Sequence, residues 1–114
     1  MKWLSTLMLL STLAGCITPP PAPPAPYRAI GTQPGWTLLI DSHDLTFIPA
    51  DGQNVIRQPT PPPIIGIAGE IYNTPRIHVN IVHTQCSDGM SDRTYPDKVQ
   101  VDVDGRRLNG CGGL

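Results

Sequence analysis

From residue 36 onward the chain alternates apolar and polar side chains with a period of two, the spacing of a strand buried on one face. Trp36, Leu38 and Ile40 share one face of residues 36–40. Asp41, Ser42 and His43 make a turn, and residues 45–48 resume a strand. Asp51-Gly52 is a hairpin signal, because both residue types tolerate the positive φ of the primed turns. Residues 55–57 return from it. Pro59 and the run Pro61, Pro62 and Pro63 cannot lie in a central strand and so mark a loop or an edge. Residues 64–68 and 70–72 are weaker strands, interrupted by Gly66 and Gly69. The clearest strand covers residues 76–84, with Ile77, Val79 and Ile81 facing one way and Arg76, His78 and Asn80 the other. Residues 98–103 repeat the pattern, with Val99, Val101 and Val103 inward. Asp104-Gly105 is a second hairpin signal, leading into Arg106, Arg107 and Leu108. No window carries a helical period. The pattern predicts an all-β domain over residues 28–114, a small antiparallel barrel or sandwich of roughly six to eight strands.

The first residues read differently. Lys2 precedes an apolar run, residues 4–13, and small residues follow it. That is the layout of a secretory signal peptide, here residues 1–15. The run is too short to cross a bilayer as a helix, which needs about 20 apolar residues. Leu13-Ala14-Gly15-Cys16 resembles the lipobox of bacterial lipoproteins. The resemblance implies that the Cys16 thiol receives a diacylglycerol, that the signal is cut off before it, and that the new amino group is acylated. Each buried methylene contributes about 0.8 kcal/mol, so two or more chains hold stably to a membrane that the protein does not cross. Ile17 stands where that family places aspartate in inner-membrane members, which implies the outer membrane, facing the periplasm. Residues 16–27 then form the lipidated cysteine and a proline-rich tether. Polyproline II advances about 3 Å per residue, giving the tether a reach on the order of 30 Å.

Charge and cysteine count narrow the field. Eight basic residues against nine acidic ones leave no basic face for phosphates, so nucleic acid is not an expected partner. Of the cysteines Cys16, Cys86 and Cys111, a lipidated Cys16 leaves an even pair in an oxidising compartment. A disulfide between Cys86 and Cys111 closes a loop of about 26 residues and contributes roughly 3.5 kcal/mol by chain entropy. Zinc is the weaker alternative, because neither cysteine has a CxxC or CxxH neighbour.

Residues 86–96, between the two best strands, are the most unusual stretch. Asp88, Ser91, Asp92 and Asp97 carry oxygens suited to calcium, but their spacing is not that of an EF-hand loop. Asp88 and Asp92 with His43, His78 or His83 would offer acid–base groups, but no nucleophile motif accompanies them. No catalytic residue, metal site or cofactor is therefore expected. The favoured reading is local: Asp88 and Asp92 cap backbone amides, Gly89 takes positive φ, a short helical turn spans 87–90, and Arg93 pairs with a carboxylate. Trp36 is expected to anchor the core.

Residues 28–36 (RAIGTQPGW), 86–96 (CSDGMSDRTYP) and 110–112 (GCG) together resemble a family of small predicted bacterial envelope lipoproteins. The resemblance covers nearly all of the mature domain and implies no activity. Gln33 and Gly35 depart from the Glu and aromatic residue that are more frequent there. In size, lipobox, β content and late disulfide the chain is also similar to membrane-bound lysozyme inhibitors, without their Ser-Gly-x-x-Tyr motif. The expected function is binding, with Asp88, Met90, Asp92, Arg93 and Tyr95 as the candidate interaction loop. The expected partners are the membrane, through the anchor, and an envelope protein or cell-wall enzyme.

Overall fold

Each alternating run forms a strand in the computed structural model, which describes residues 15, 19–21 and 24–113. The described strands are β1 (Tyr27–Thr32), β2 (Gly35–Ile40), β3 (Asp44–Pro49), β4 (Ile56–Pro59), β5 (Ile64–Ile65), β6 (Gly69–Asn73), β7 (Ile77–Val82), β8 (Cys86–Ser87), β9 (Thr94–Tyr95), β10 (Asp97–Val103) and β11 (Arg106–Gly112). Nine of them make one sheet in the order β4-β3-β2-β1-β11-β10-β7-β6-β5, and β8 and β9 form a separate hairpin. Every pairing is antiparallel.

The all-β class holds, but the strand number exceeds the expected range. The excess comes from segments that the period-two pattern did not mark: β1, and β8 with β9, which folds within residues 86–96. The architecture is also neither a closed barrel nor two stacked sheets. One sheet curls into a half-barrel, and its two edge strands, β4 and β5, are joined through residues 60–63. Pro59, Pro61, Pro62 and Pro63 have no N–H to donate at that seam, which accounts for its staying open.

Curling brings the apolar faces of the two halves of the sheet together. Trp36, Leu38, Ile40, Leu45 and Phe47 from one half join Ile77, Val79, Ile81, Val99, Val101 and Val103 from the other in a single buried cluster. Burying each such side chain contributes about 1.5–3 kcal/mol. Trp36 is the core anchor expected of it and lies against Phe47, with ring centroids 6.0 Å apart. Its indole also needs two glycines. Gly31 and Gly110 face inward beside it, and a Cβ at either position would intrude on the ring.

The hairpin signals appear where aspartate precedes glycine. Asp104 and Gly105 both have positive φ, 48° and 83°, between β10 and β11. At Asp51-Gly52 only the glycine does, at 73°, and the connection from β3 to β4 is longer than a two-residue turn. The strands give the half-barrel two ends. The upper end holds the β3–β4 and β10–β11 turns. The lower end, here the base, holds the start of β1, the start of β10 and the β5–β6 turn.

Replacing Gly31 with alanine is expected to push the indole out of place at a cost of about 1–3 kcal/mol. Urea midpoints together with near-ultraviolet circular dichroism of Trp36 check it. An unchanged midpoint and spectrum would show that the close approach does not matter.

Candidate functional site

The candidate loop sits on the outer face of the sheet. Cys86 and Cys111 form the expected disulfide, with Cα atoms 5.6 Å apart. It pins the β8–β9 hairpin to β11. Tyr95 and Cys86 are buried against Cys111 and the half-buried Ile30 in a second, small apolar cluster. Tyr95 is therefore used up in covering the disulfide.

Within the loop, Asp88 does the capping expected of it. One carboxylate oxygen accepts the amides of Met90 and Ser91, both at 2.9 Å, and the other accepts the Ser91 hydroxyl at 2.9 Å. The Met90 amide, followed by that of Ser91, holds the Asp88 carboxyl below its ordinary value. Gly89 has φ of 72°. Three details differ from expectation, the first being that Asp92 caps no amide among the described residues. Residues 87–90 form a strand end and a bend, not a helical turn, because Asp88 takes the amides a helix would turn inward. Arg93 lies 5.6 Å over the Tyr95 ring and forms no ion pair among the described residues. Met90 projects into solvent at 71% exposure, and Asp92 is also exposed.

Beside the loop, on the outer face, lies an open hollow of about 490 Å³. Its floor carries Asn80, Gln100 and Asn109, which the register of β7, β10 and β11 places side by side in one row. Gln100 Nε2 donates to Asn109 Oδ1 at 3.2 Å. Carboxamides offer donors and acceptors together. Lys98 and Asp88 supply one charge of each sign at the margins. Such a surface suits a polar chain better than a single small ion.

A second polar group, not anticipated from spacing, occupies the base. Tyr27 donates its hydroxyl to Asp97 Oδ2 at 2.7 Å. His83 Nδ1 lies 2.7 Å from Asp97 Oδ1, and His83 Nε2 lies 2.9 Å from Glu70 Oε1. Asp97 is buried, whereas the His83 side chain is half exposed. The hydrogen bond to Asp97, then that to Glu70, raises His83 to a pKa of about 8, so both ring nitrogens donate at neutral pH. Burial, then the Asp97 hydrogen bond, pushes the Tyr27 phenol well above its ordinary value. With both nitrogens engaged, the ring has no free lone pair for a metal or a substrate proton. Among the described residues no cluster fit to hold a metal ion occurs. The calcium set considered above is not brought together, since Asp97 serves Tyr27 and His83 while Asp88 serves its own loop. Of the other histidines, His78 meets Asn73 at 2.9 Å on the exposed face and His43 sits in the β2–β3 turn.

Leu13, Ala14 and Cys16 lie outside the described residues, and Gly15 is exposed. Comparison with protein-family models, with curated proteins and with solved structures finds no match to this chain.

Two expectations follow from this geometry. The folded pKa of His83 is raised, so its contribution to stability is complete below pH 6.5 and is lost as pH rises through about 8. The urea midpoint of the protein should fall over that window, and the fall should disappear in His83→Gln; an identical pH profile in the variant would exclude the histidine as its source. Replacing Cys86 and Cys111 together by serine should lower unfolding free energy by roughly 3.5 kcal/mol, the chain-entropy value for a loop of this length. Equilibrium unfolding with amide exchange across residues 84–96 measures the loss and its location.

Proposed function

We propose that the protein is a lipid-anchored binding domain of the bacterial cell envelope, held through Cys16 on the periplasmic side of the outer membrane. The observation that supports binding is the coupling of a rigid projecting loop to a polar hollow. The loop has a covalent base at Cys86–Cys111, an internal brace at Asp88, and an exposed Met90. A loop ordered before it meets a partner loses little conformational entropy on binding. The carboxamide row beside it fits a polar polypeptide or glycan segment of an envelope component. The anchor is supported by the apolar run, the lipobox resemblance and the proline tether.

A second reading is inhibition of a cell-wall lytic enzyme. It is favoured by the projection of Met90 from a braced loop, which is the shape of a plug for a cleft.

Both readings meet one experiment. A photo-crosslinking residue is placed at Met90 in cells, with a second at Gln53 in the exposed β3–β4 turn as control. The expected result is a discrete adduct from the Met90 position, weakened several-fold by Gln100→Arg in the hollow. Equal labelling from both positions would exclude the loop as an interface. Lysozyme slowed by stoichiometric protein would select the inhibitor reading. A mature N-terminus without acyl groups in the mass spectrum would remove the anchor.

A further inference from the structure

Residues 61–69 read Pro-Pro-Pro-Ile-Ile-Gly-Ile-Ala-Gly, without one polar or charged side chain. In a soluble domain such a run belongs in a core. Here it lies on the surface: Ile64 is 56% exposed, Ile65 70%, and Ile67 is fully exposed at the tip of the β5–β6 turn. Exposed apolar patches of this kind mark contacts with a partner or a membrane.

The position of the run in the fold decides between those two. Pro24 and Pro26, at the foot of the tether, line one hollow of about 870 Å³ together with Pro61, Pro62 and Pro63. The tether therefore joins the domain beside the start of the apolar run. Hydrogen bonds carry the connection on to the turn. Tyr27, the first residue of β1, donates to Asp97; Asp97 meets His83; and the His83 amide donates to the Ala68 carbonyl at 2.8 Å. The turn is closed by its own bond from the Gly66 amide to the Gly69 carbonyl, also 2.8 Å. The isoleucines thus project from the end of the domain that the tether draws toward Cys16.

We propose that this turn is a membrane foot: Ile64, Ile65 and Ile67 enter the boundary between headgroups and acyl chains of the bilayer that holds the lipidated Cys16. The inference rests on the lipid-anchored reading. It also changes the role of the tether, whose reach of about 30 Å becomes an upper limit on height instead of the resting distance. A protein strand is a poorer occupant. β5 is two residues long and follows three prolines, so it offers few amides to an added strand. A lipid interface needs only apolar side chains on a turn whose own backbone bonds are closed.

The test uses the native acylated protein in vesicles of phosphatidylethanolamine and phosphatidylglycerol with brominated acyl chains. An indole is placed at the turn by Ile67→Trp and, separately, at the far end by Gln53→Trp; both positions are exposed, so neither change burdens the core. Above the Trp36 background, Ile67→Trp should be quenched about fivefold more than Gln53→Trp, as befits a group roughly 5–10 Å inside the boundary. Adding Ile64→Asp and Ile65→Asp should abolish the difference. Flotation with the vesicles separates the two ideas. Protein that floats with equal quenching at both positions overturns the foot alone, and so does protein whose turn crosslinks to a second copy instead. Protein that does not float overturns the anchor and the foot with it.

Discussion

A single sheet with one apolar face has only itself to cover that face. Every other feature of this fold answers to that constraint. The sheet must curl until β2 and β3 meet β7 and β10, and the curl must leave room for the largest side chain of the core. Gly31 and Gly110 provide that room for Trp36. The curl also leaves open ends, where the core would meet water. At the base the positions in phase with the core are polar, and each finds a partner: Tyr27, Glu70, His83 and Asp97 bond to one another. Among the described residues no buried side-chain nitrogen or oxygen is left without a hydrogen bond. The end is thus closed by satisfied polar groups, which cost less than unpaired ones and leave no apolar rim.

The outer face meets the opposite difficulty. It is polar and needs no cover, so the loop of residues 84–96 has little apolar surface to hold it there. Among the described residues, Ile30 and Tyr95 are the sizeable apolar side chains that pack with the cystine. A covalent bond does what a larger core would otherwise do, and Asp88 fixes the local path beyond it. The disulfide also brings the loop to the margin of the Asn80, Gln100 and Asn109 row. The main core and the candidate binding surface therefore use different side chains, with the disulfide serving both stability and the loop's position.

Much of this could be read along the chain. The period-two runs located β2, β7 and β10 with their inward faces, and the pairing of Cys86 with Cys111 came from cysteine count and compartment. The curl could not be read, because closure or opening depends on how two distant edges meet, and only the prolines at 59 and 61–63 hint at it. The base network left a signal that spacing alone did not bring out. Asp97 is in phase with Val99, Val101 and Val103, and His83 is in phase with Ile77, Val79 and Ile81. A charged or titratable residue at a core-facing position wants a partner. Glu70 and Tyr27 could not be matched to them without the register: Glu70 meets His83 through the pairing of β6 with β7, and Tyr27 reaches Asp97 across β11, which lies between β1 and β10.

The two ends and two faces together imply an orientation. Tether, base network and exposed isoleucines all belong to the lower end, so a domain resting there directs its strands away from the bilayer. The loop carrying Met90 then faces sideways from the outer face, with Thr32 near the upper end donating to the Asp88 carbonyl at 3.3 Å. With the base on a bilayer as proposed, the hollow would open along the membrane plane instead of toward it, clear of the headgroups. A tether alone would leave that direction free to vary, since a flexible link fixes distance but not rotation. The proposed second contact at the β5–β6 turn would remove much of the rotation. An envelope partner would then meet the loop in a nearly constant pose, and less orientational freedom would be lost on binding.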